Sequence, residues 1–179
     1  RSSSAFVIGG QSPDGKGDKK YDGAIYRAFD ETMWSHHLFI KAKNNTFLNQ
    51  KSIGIDICNY GPLTKTENGD FYTSTQIKVS KNQVTELESP FRGTRYFHSY
   101  SDAQIKSLKS LILELSEKYE INLKRGLKKE IEKFGVYGGF ELSEEALMGG
   151  QGLWSHSNVR IDRLSCPPHP DLVKVIKGL

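Results

Sequence analysis

The chain predicts an α/β domain in which a single central mixed sheet is flanked by helices. Short β-type segments dominate the first half, the clearest amphipathic helix follows them, and no linker divides the 179 residues. A chain of this length usually forms one domain with a core of its own. Strands that are followed by helical segments commonly share one sheet, and the helices pack on its faces.

The first strands are predicted from short apolar segments between turn-forming residues. Ala5–Ile8 and Ala24–Phe29 are separated by a stretch rich in Gly, Asp and Ser, which indicates two strands joined by a long hairpin loop. Further along, Tyr72–Val79 predicts a more exposed strand, and Lys81–Thr94 predicts a loop.

The strand Ser52–Asn59 combines a core face with a polar face. Its isoleucines alternate onto one side, so Asp56 and Cys58 fall on the other side. An acidic side chain in so apolar a strand lies either at the end of a sheet or in a site. Cys58 is predicted to be a small core residue, although a disulfide with Cys166 is also open.

The helices are predicted in the second half of the chain. Asp102 to Tyr119 carries one apolar stripe, and Ser101 with Gln104 forms a capping-box pattern at its start. Leu127–Phe134 predicts a short second helix, and Asp171–Leu179 predicts a C-terminal helix after a proline run.

The charge pattern gives only a mild indication of a partner. The net charge is +4, and the basic clusters at 16–20 and 124–129 are expected to be solvated faces, with attraction to an anionic polymer as the alternative. No zinc finger or aromatic RNA-binding signature is present to support a nucleic acid as that polymer. No apolar run approaches the ~20 residues of a membrane span.

The stretch from Gly152 to Pro170 suggests a metal site. A catalytic zinc ion needs about three protein ligands and one open position for water. The chain has no His-Glu-x-x-His or Cys-x-x-Cys motif, but His156 and Cys166 lie ten residues apart, so a loop can bring both onto one ion.

The remaining histidines are interpreted by their neighbours. His36 and His37 beside Trp34 are either an exposed pair or the wall of a substrate cleft, since these side chains offer flat stacking surfaces. His98 lies among aromatic residues and is predicted to pack before the helix. His169 lies in a proline turn and is predicted to be exposed.

Five segments, in order, resemble the type-2 N-acetylmuramoyl-L-alanine amidases, which are related to amidase-type phage lysozymes and to peptidoglycan-recognition proteins. The most specific is Ser52–Leu63, which is similar to the family pattern Ser-Ile-Gly-Ile-Glu-Leu-Cys-Asn-Trp-Gly-Pro-Leu. The others are Ala5–Ile8 with Ala24–Asp30, Trp34–Leu38, Tyr100–Tyr119 and Gly152–Leu179. The resemblance implies one amidase-like domain over 1–179. This domain would be N-terminally incomplete, because the family's first zinc histidine lies on a strand upstream of the Ala5 segment.

The resemblance also implies roles for single residues. His156 matches the second zinc histidine, and Asp56 matches an acidic position, usually Glu, that handles the proton of the attacking water. Arg163 falls on a lysine that would stabilise the oxyanion. The third ligand, Asp in the family, falls on Ser165, and the adjacent Cys166 is the better zinc ligand.

These matches imply a zinc-dependent peptidoglycan hydrolase that cuts the amide between N-acetylmuramic acid and L-alanine. Trp34, His37 and Asn59 would line its groove, and the protein would act at the cell wall outside the cell or in association with a phage particle. The alternative is a non-catalytic amidase fold that binds peptidoglycan or serves as a phage structural component. The Ser165 and Asp56 differences favour this alternative.

Overall fold

The computed structural model describes four stretches of the chain, residues 4–17, 19–30, 33–41 and 43–179. The sheet that positions the site contains β1 (Phe6–Ile8), β2 (Ile25–Arg27) and β3 (Ile55–Ile57). β1 is the middle strand; it pairs antiparallel with β2 and parallel with β3, so this sheet is mixed. The predicted hairpin with a long connection is therefore confirmed.

The remaining strands in the described stretches form two further small sheets. One contains β4 (Thr64–Lys65), β5 (Phe71–Tyr72) and β6 (Lys78–Val79), and the other contains β7 (Val84–Phe91) and β8 (Thr94–His98). The mixed α/β class matches the prediction, but a single central sheet is not confirmed, because the described strands divide among three sheets.

Two predictions, one of a strand and one of a loop, are wrong in this region. The predicted strand Tyr72–Val79 is two short antiparallel strands joined by a turn. The predicted loop Lys81–Thr94 contains the longest strand of the described chain. Its two buried residues, Leu87 and Phe91, are separated by three exposed ones, and the pairing register shifts between Glu86 and Phe91. This irregularity hides the alternation that identifies a strand.

Five helices surround these sheets in the described stretches. They are α1 (Asn45–Gln50), α2 (Asp102–Lys118), α3 (Leu127–Gly139), α4 (Glu144–Leu147) and α5 (Pro170–Lys177). The structure confirms α2, α5 and the start of α3, whereas α1 and α4 were not predicted. α3 continues past Phe134 through a kink at Gly135, whose φ is 76°. None of the helices in the described stretches is long and apolar enough to cross a membrane.

The start of α2 connects the main core to the end of β3. Ser101 Oγ accepts a hydrogen bond from the Gln104 amide (3.0 Å), and Gln104 Oε1 accepts one from the Ser101 amide (3.1 Å), so the predicted capping box is present. The Gln104 side chain also donates to the carbonyl of Cys58 (2.7 Å). The apolar stripe of α2 and the core side of β1 bury Leu108 and Ile8 in the same cluster.

Several single-residue predictions can be compared with the structure directly. His98 is only 3% exposed, so its prediction as a packing residue is confirmed. His169 is 1% exposed and its Nε2 lies 2.8 Å from Thr85 Oγ1, so its predicted exposure is wrong. Cys58 is exposed and is therefore not a core residue. Cys58 and Cys166 are free thiols rather than a disulfide.

Candidate active site

β3 presents Asp56 on the open face of the sheet formed by β1, β2 and β3, here called the central sheet. Ile55 and Ile57 pack against the main core, whereas Asp56 is exposed. Asp56 pairs across the sheet with Val7, which in turn pairs with Tyr26, so these side chains share one face. The predicted alternation of this strand is confirmed, and it places a carboxylate on the side of the sheet away from α2.

The ring of His156 is oriented by a backbone carbonyl. His156 opens a 3-10 turn, and its Nε2 lies 2.9 Å from the carbonyl oxygen of Leu38. A carbonyl can only accept, so Nε2 carries the proton and Nδ1 of the neutral ring is left as an acceptor. Nδ1 faces Ser165 Oγ at 3.5 Å. In metal sites, a carbonyl that accepts from one ring nitrogen in this way orients the imidazole and leaves its other nitrogen able to bind the metal.

Burial keeps the His156 ring neutral. Removal from water lowers the pKa of His156, and the guanidinium groups of Arg163 and Arg160 lower it further, whereas Asp56 acts in the opposite direction. A neutral imidazole with an unshared pair on Nδ1 is the form that a cation or an acidic proton requires.

His37 lies in the same cluster, but both of its ring nitrogens have partners. Nδ1 is 3.0 Å from the carbonyl of Ser35, and Nε2 is 3.0 Å from Ser52 Oγ. Its backbone amide donates to Asn49 Oδ1 (2.7 Å). Burial lowers the pKa of His37, whereas the Ser35 carbonyl and the charge of Asp56 raise it. The ring therefore forms a neutral wall beside Asp56 and is not available as a ligand.

Cys166 approaches the cluster from the loop before α5. Its φ of 57° lies in the left-handed region, which turns the chain sharply after Ser165. The Tyr100 hydroxyl donates to its sulfur, which explains why this contact favours the thiolate. Burial, with a smaller contribution from Asp56, nevertheless raises the pKa of the Cys166 thiol to about 11. Without a cation nearby, the group is a neutral thiol at pH 7.

Groups from three other parts of the chain lie within electrostatic reach of Asp56. The carboxylate acts electrostatically on His37, His156 and Cys166, which come from the segment before α1, the 3-10 turn and the last loop. The donor chemistry of His156 suits zinc. Within the described part of the chain, however, no three His, Cys, Asp or Glu side chains converge closely enough to hold an ion.

A guanidinium holds the loop that carries His156 and Arg163. Arg92 lies at the tip of the β7–β8 hairpin, and its side chain is 12% exposed. Nη1 donates to the carbonyls of Arg160 (2.8 Å), Ile161 (3.1 Å) and Arg163 (2.8 Å), and Nη2 donates to that of Ser157 (3.1 Å). One side chain thus fixes four carbonyls between residues 157 and 163.

The comparison with protein families agrees with this arrangement. The model of the family described as N-acetylmuramoyl-L-alanine amidase matches residues 18–169, which is most of the chain. The chain belongs to the N-acetylmuramoyl-L-alanine amidase family. Searches of curated proteins and of solved structures gave no match. Membership supports an amidase that acts on peptidoglycan.

The predicted groove residues of this amidase domain lie in two separate depressions of the surface. Trp34 and His37 line one shallow crevice together with Phe29 and Gly54. Asn59 lies elsewhere, beside Tyr60, and its amide is occupied: Nδ2 donates to the carbonyls of His98 and Ser99, and Oδ1 accepts from Gly61. Arg163 is exposed and acts electrostatically on the His156 ring.

Sequence analysis missed the residues that position this site. Asn49 is fully buried, and its Oδ1 accepts from the amides of His37 (2.7 Å) and Leu38 (3.0 Å). Asn158 is also fully buried; it binds Ser155 and donates to two carbonyls at the end of α3. Nothing in the sequence around either asparagine distinguishes it from a solvent-exposed one. Only Arg92, followed by Gly93, gave a detectable turn signal.

Proposed function

We propose that this domain hydrolyses the amide bond between N-acetylmuramic acid and L-alanine in peptidoglycan. The observation that supports it best is that Asp56 acts electrostatically on His156 and Cys166, which come from distant parts of a chain of the amidase family. Hydrolysis of an amide needs a base for the attacking water and a positive group for the developing oxyanion.

Asp56 is the proposed base. It is exposed on the open sheet face, so water can reach it, and it acts electrostatically on the rings of His37 and His156. Arg163 is the proposed oxyanion donor, because its cationic side chain lies within electrostatic reach of His156 and is free to approach from solvent.

The proposal includes zinc as the cofactor. Bound here, zinc would polarise the scissile carbonyl and lower the pKa of water. His156 would contribute Nδ1, which the Leu38 carbonyl leaves unprotonated, and Cys166 would contribute its sulfur. The remaining ligand is expected from the family's upstream histidine strand, in a polypeptide that carries that strand.

The crevice bordered by Trp34 and His37 is proposed to hold the part of the substrate next to the scissile bond. Trp34 is 44% exposed and its ring makes an edge contact with His36 at 5.2 Å between centroids, which offers an open aromatic surface. Peptidoglycan is the proposed partner, and the proposed place of action is the wall outside the cell or a phage particle.

The test measures new L-alanine amino groups released from purified peptidoglycan by the polypeptide loaded with zinc. Asp56→Asn should lower kcat by about 10²–10⁴-fold, and His156→Ala should abolish both activity and stoichiometric zinc. Glu117→Gln is the matched control, because it removes an exposed carboxylate on α2, away from the candidate site. Peptidoglycan binding without any release would instead support the non-catalytic alternative, and full activity of Asp56→Asn would remove the proposed base.

A further inference from the structure

A second depression lies on the open face of the central sheet, beside the candidate active site. It has a volume of about 520 Å³, and Val7 and Cys58 form part of its lining. Val7 is the cross-strand partner of Asp56, and Cys58 follows Asp56 by two residues on the same strand face. The depression, here called the tyrosine cleft, therefore adjoins the proposed base. Its size is that of an ordinary small-ligand site.

Three exposed tyrosines line the tyrosine cleft. Tyr21, Tyr26 and Tyr60 are 50%, 45% and 37% exposed. The rings of Tyr21 and Tyr26 are 6.5 Å apart, and Tyr60 is held by an edge contact of 5.2 Å with buried His98. Their hydroxyls make no hydrogen bond to other described residues, so flat rings and free phenolic groups face the same space. Tyrosine offers such amphipathic contact area at low entropic cost.

The polar groups of the lining itself are neutral, and one cation, the Lys20 ammonium, lies outside the lining at 5.2 Å from the centroid of the Tyr21 ring. Gln11 Nε2 donates to Asp22 (2.8 Å), and Gln11 Oε1 accepts from Gln83 (3.0 Å), so this amide is fixed at the cleft. The described lining contains no Asp, Glu, Lys, Arg or His. Burial raises the pKa of the Cys58 thiol, so this group is uncharged at pH 7 as well.

We propose that the tyrosine cleft binds the uncharged N-acetylhexosamine units of a glycan strand, beside the sugar whose amide is cut. A pyranose ring has C–H faces that stack on the electron-rich faces of tyrosines, and its hydroxyl and acetamido groups match phenols and a fixed carboxamide. A stem peptide carries carboxylates that this neutral lining would not compensate. A nucleic acid strand would require cations along its backbone. The inference rests on the proposed function and extends it.

The test titrates the full 179-residue chain with N,N′,N″-triacetylchitotriose by calorimetry. Tyr26→Ala should weaken binding about five- to tenfold, which is the range expected for loss of one stacked ring, whereas Tyr26→Phe should retain most of it. Phe134→Ala is the control, because Phe134 is an exposed aromatic (54%) on α3 outside the cleft. Absence of binding at millimolar trisaccharide, or equal binding by Tyr26→Ala, would overturn the proposal.

A second measurement separates this inference from the proposed function. Tyr26→Ala should raise KM for polymeric peptidoglycan but leave cleavage of a single-sugar muramoyl dipeptide unchanged. An equal loss on both substrates would assign the cleft to the peptide and overturn the proposal. Saccharide binding that depends on Tyr26, in a protein that cleaves neither substrate, would leave the tyrosine cleft standing and refute the amidase proposal instead.

Discussion

Removal of the Arg92 side chain should loosen the active-site loop without unfolding the domain. Arg92→Ala deletes hydrogen bonds to four carbonyls of residues 157–163 and to Glu141. Bonds to charged groups contribute roughly 1.5–3 kcal/mol each, but neighbouring bonds are not additive. Water can also replace part of them, and the Glu141 pair is half-exposed and adds little. A local loss of about 3–5 kcal/mol is expected, which is less than the sum of the four individual bonds.

The expected functional result follows from the position of the loop. Residues 157–163 lie between His156 and Cys166, so their loosening displaces His156 and Arg163 from Asp56. A displacement of about 1 Å near a reacting centre can cost 10²-fold in rate, so kcat/KM should fall by that order. Hydrogen–deuterium exchange should rise at residues 156–163 while the exchange of α2 stays unchanged.

Two variants separate the side chain from its strained backbone. Arg92 has a φ of 49° in a hairpin tip, and Asn tolerates this conformation better than Ala, so Arg92→Asn removes the guanidinium with less backbone strain. Arg95→Ala, on the adjacent strand, removes only an exposed ion pair with Glu86 and should change nothing measurable. Unaltered exchange at 156–163 together with unaltered kcat/KM in both Arg92 variants would refute this reasoning.

Three further results are expected. In Gly54→Ala the new methyl would lie 2.9 Å from the His37 ring, so the ring must move and kcat/KM should fall; an unchanged value in peptidoglycan assays would contradict this packing. Burial lowers the pKa of His98 to about 4, so the unfolded chain binds more protons between pH 4 and 6.5. Stability should therefore decline as the pH falls through that window, by at most about 1.4 kcal/mol per pH unit. His98→Phe should flatten the decline of Tm with pH, and identical profiles would exclude His98 as its source. Cys166→Ser should weaken zinc binding strongly and Ser165→Ala should not; the reverse ranking in a zinc titration would discard the sulfur as a ligand.

Much of the fold could be predicted where local patterns and tertiary structure agree. The stripe and capping box of α2 are local features, and the structure confirms both. β7 was missed because its charged residues and Pro90 resemble a loop, and only pairing with β8 makes it a strand. α1 and α4 have six and four residues, too few to show a helical period.

Of the candidate site, too, one part could be predicted from the sequence and the other could not. Asp56 and His156 were predicted because their surrounding segments are distinctive in sequence, and in the structure Asp56 acts electrostatically on His156. The sequence does not reveal that Asn59 uses its amide to hold a turn, or that Arg92 binds a loop more than sixty residues away. Such roles depend on contacts between distant segments, for which one sequence gives no local signal. The catalytic, substrate-binding and metal-binding roles stay predictions for all of the proposed site residues: Asp56, Arg163, Trp34, His37, Asn59, His156 and Cys166.

β3 has only three residues, and this shortness limits which substitutions the strand can accept without a change at Asp56. Ile55 and Ile57 reach into the interior on either side of Asp56, so trimming either isoleucine would tilt the carboxylate through the backbone they share. Substitutions of these isoleucines that are selected for heat tolerance would therefore change kcat, although the substituted side chains do not contact the cell wall. Sites on the solvent side of α2, such as Lys109 and Glu117, allow stability to be adjusted independently.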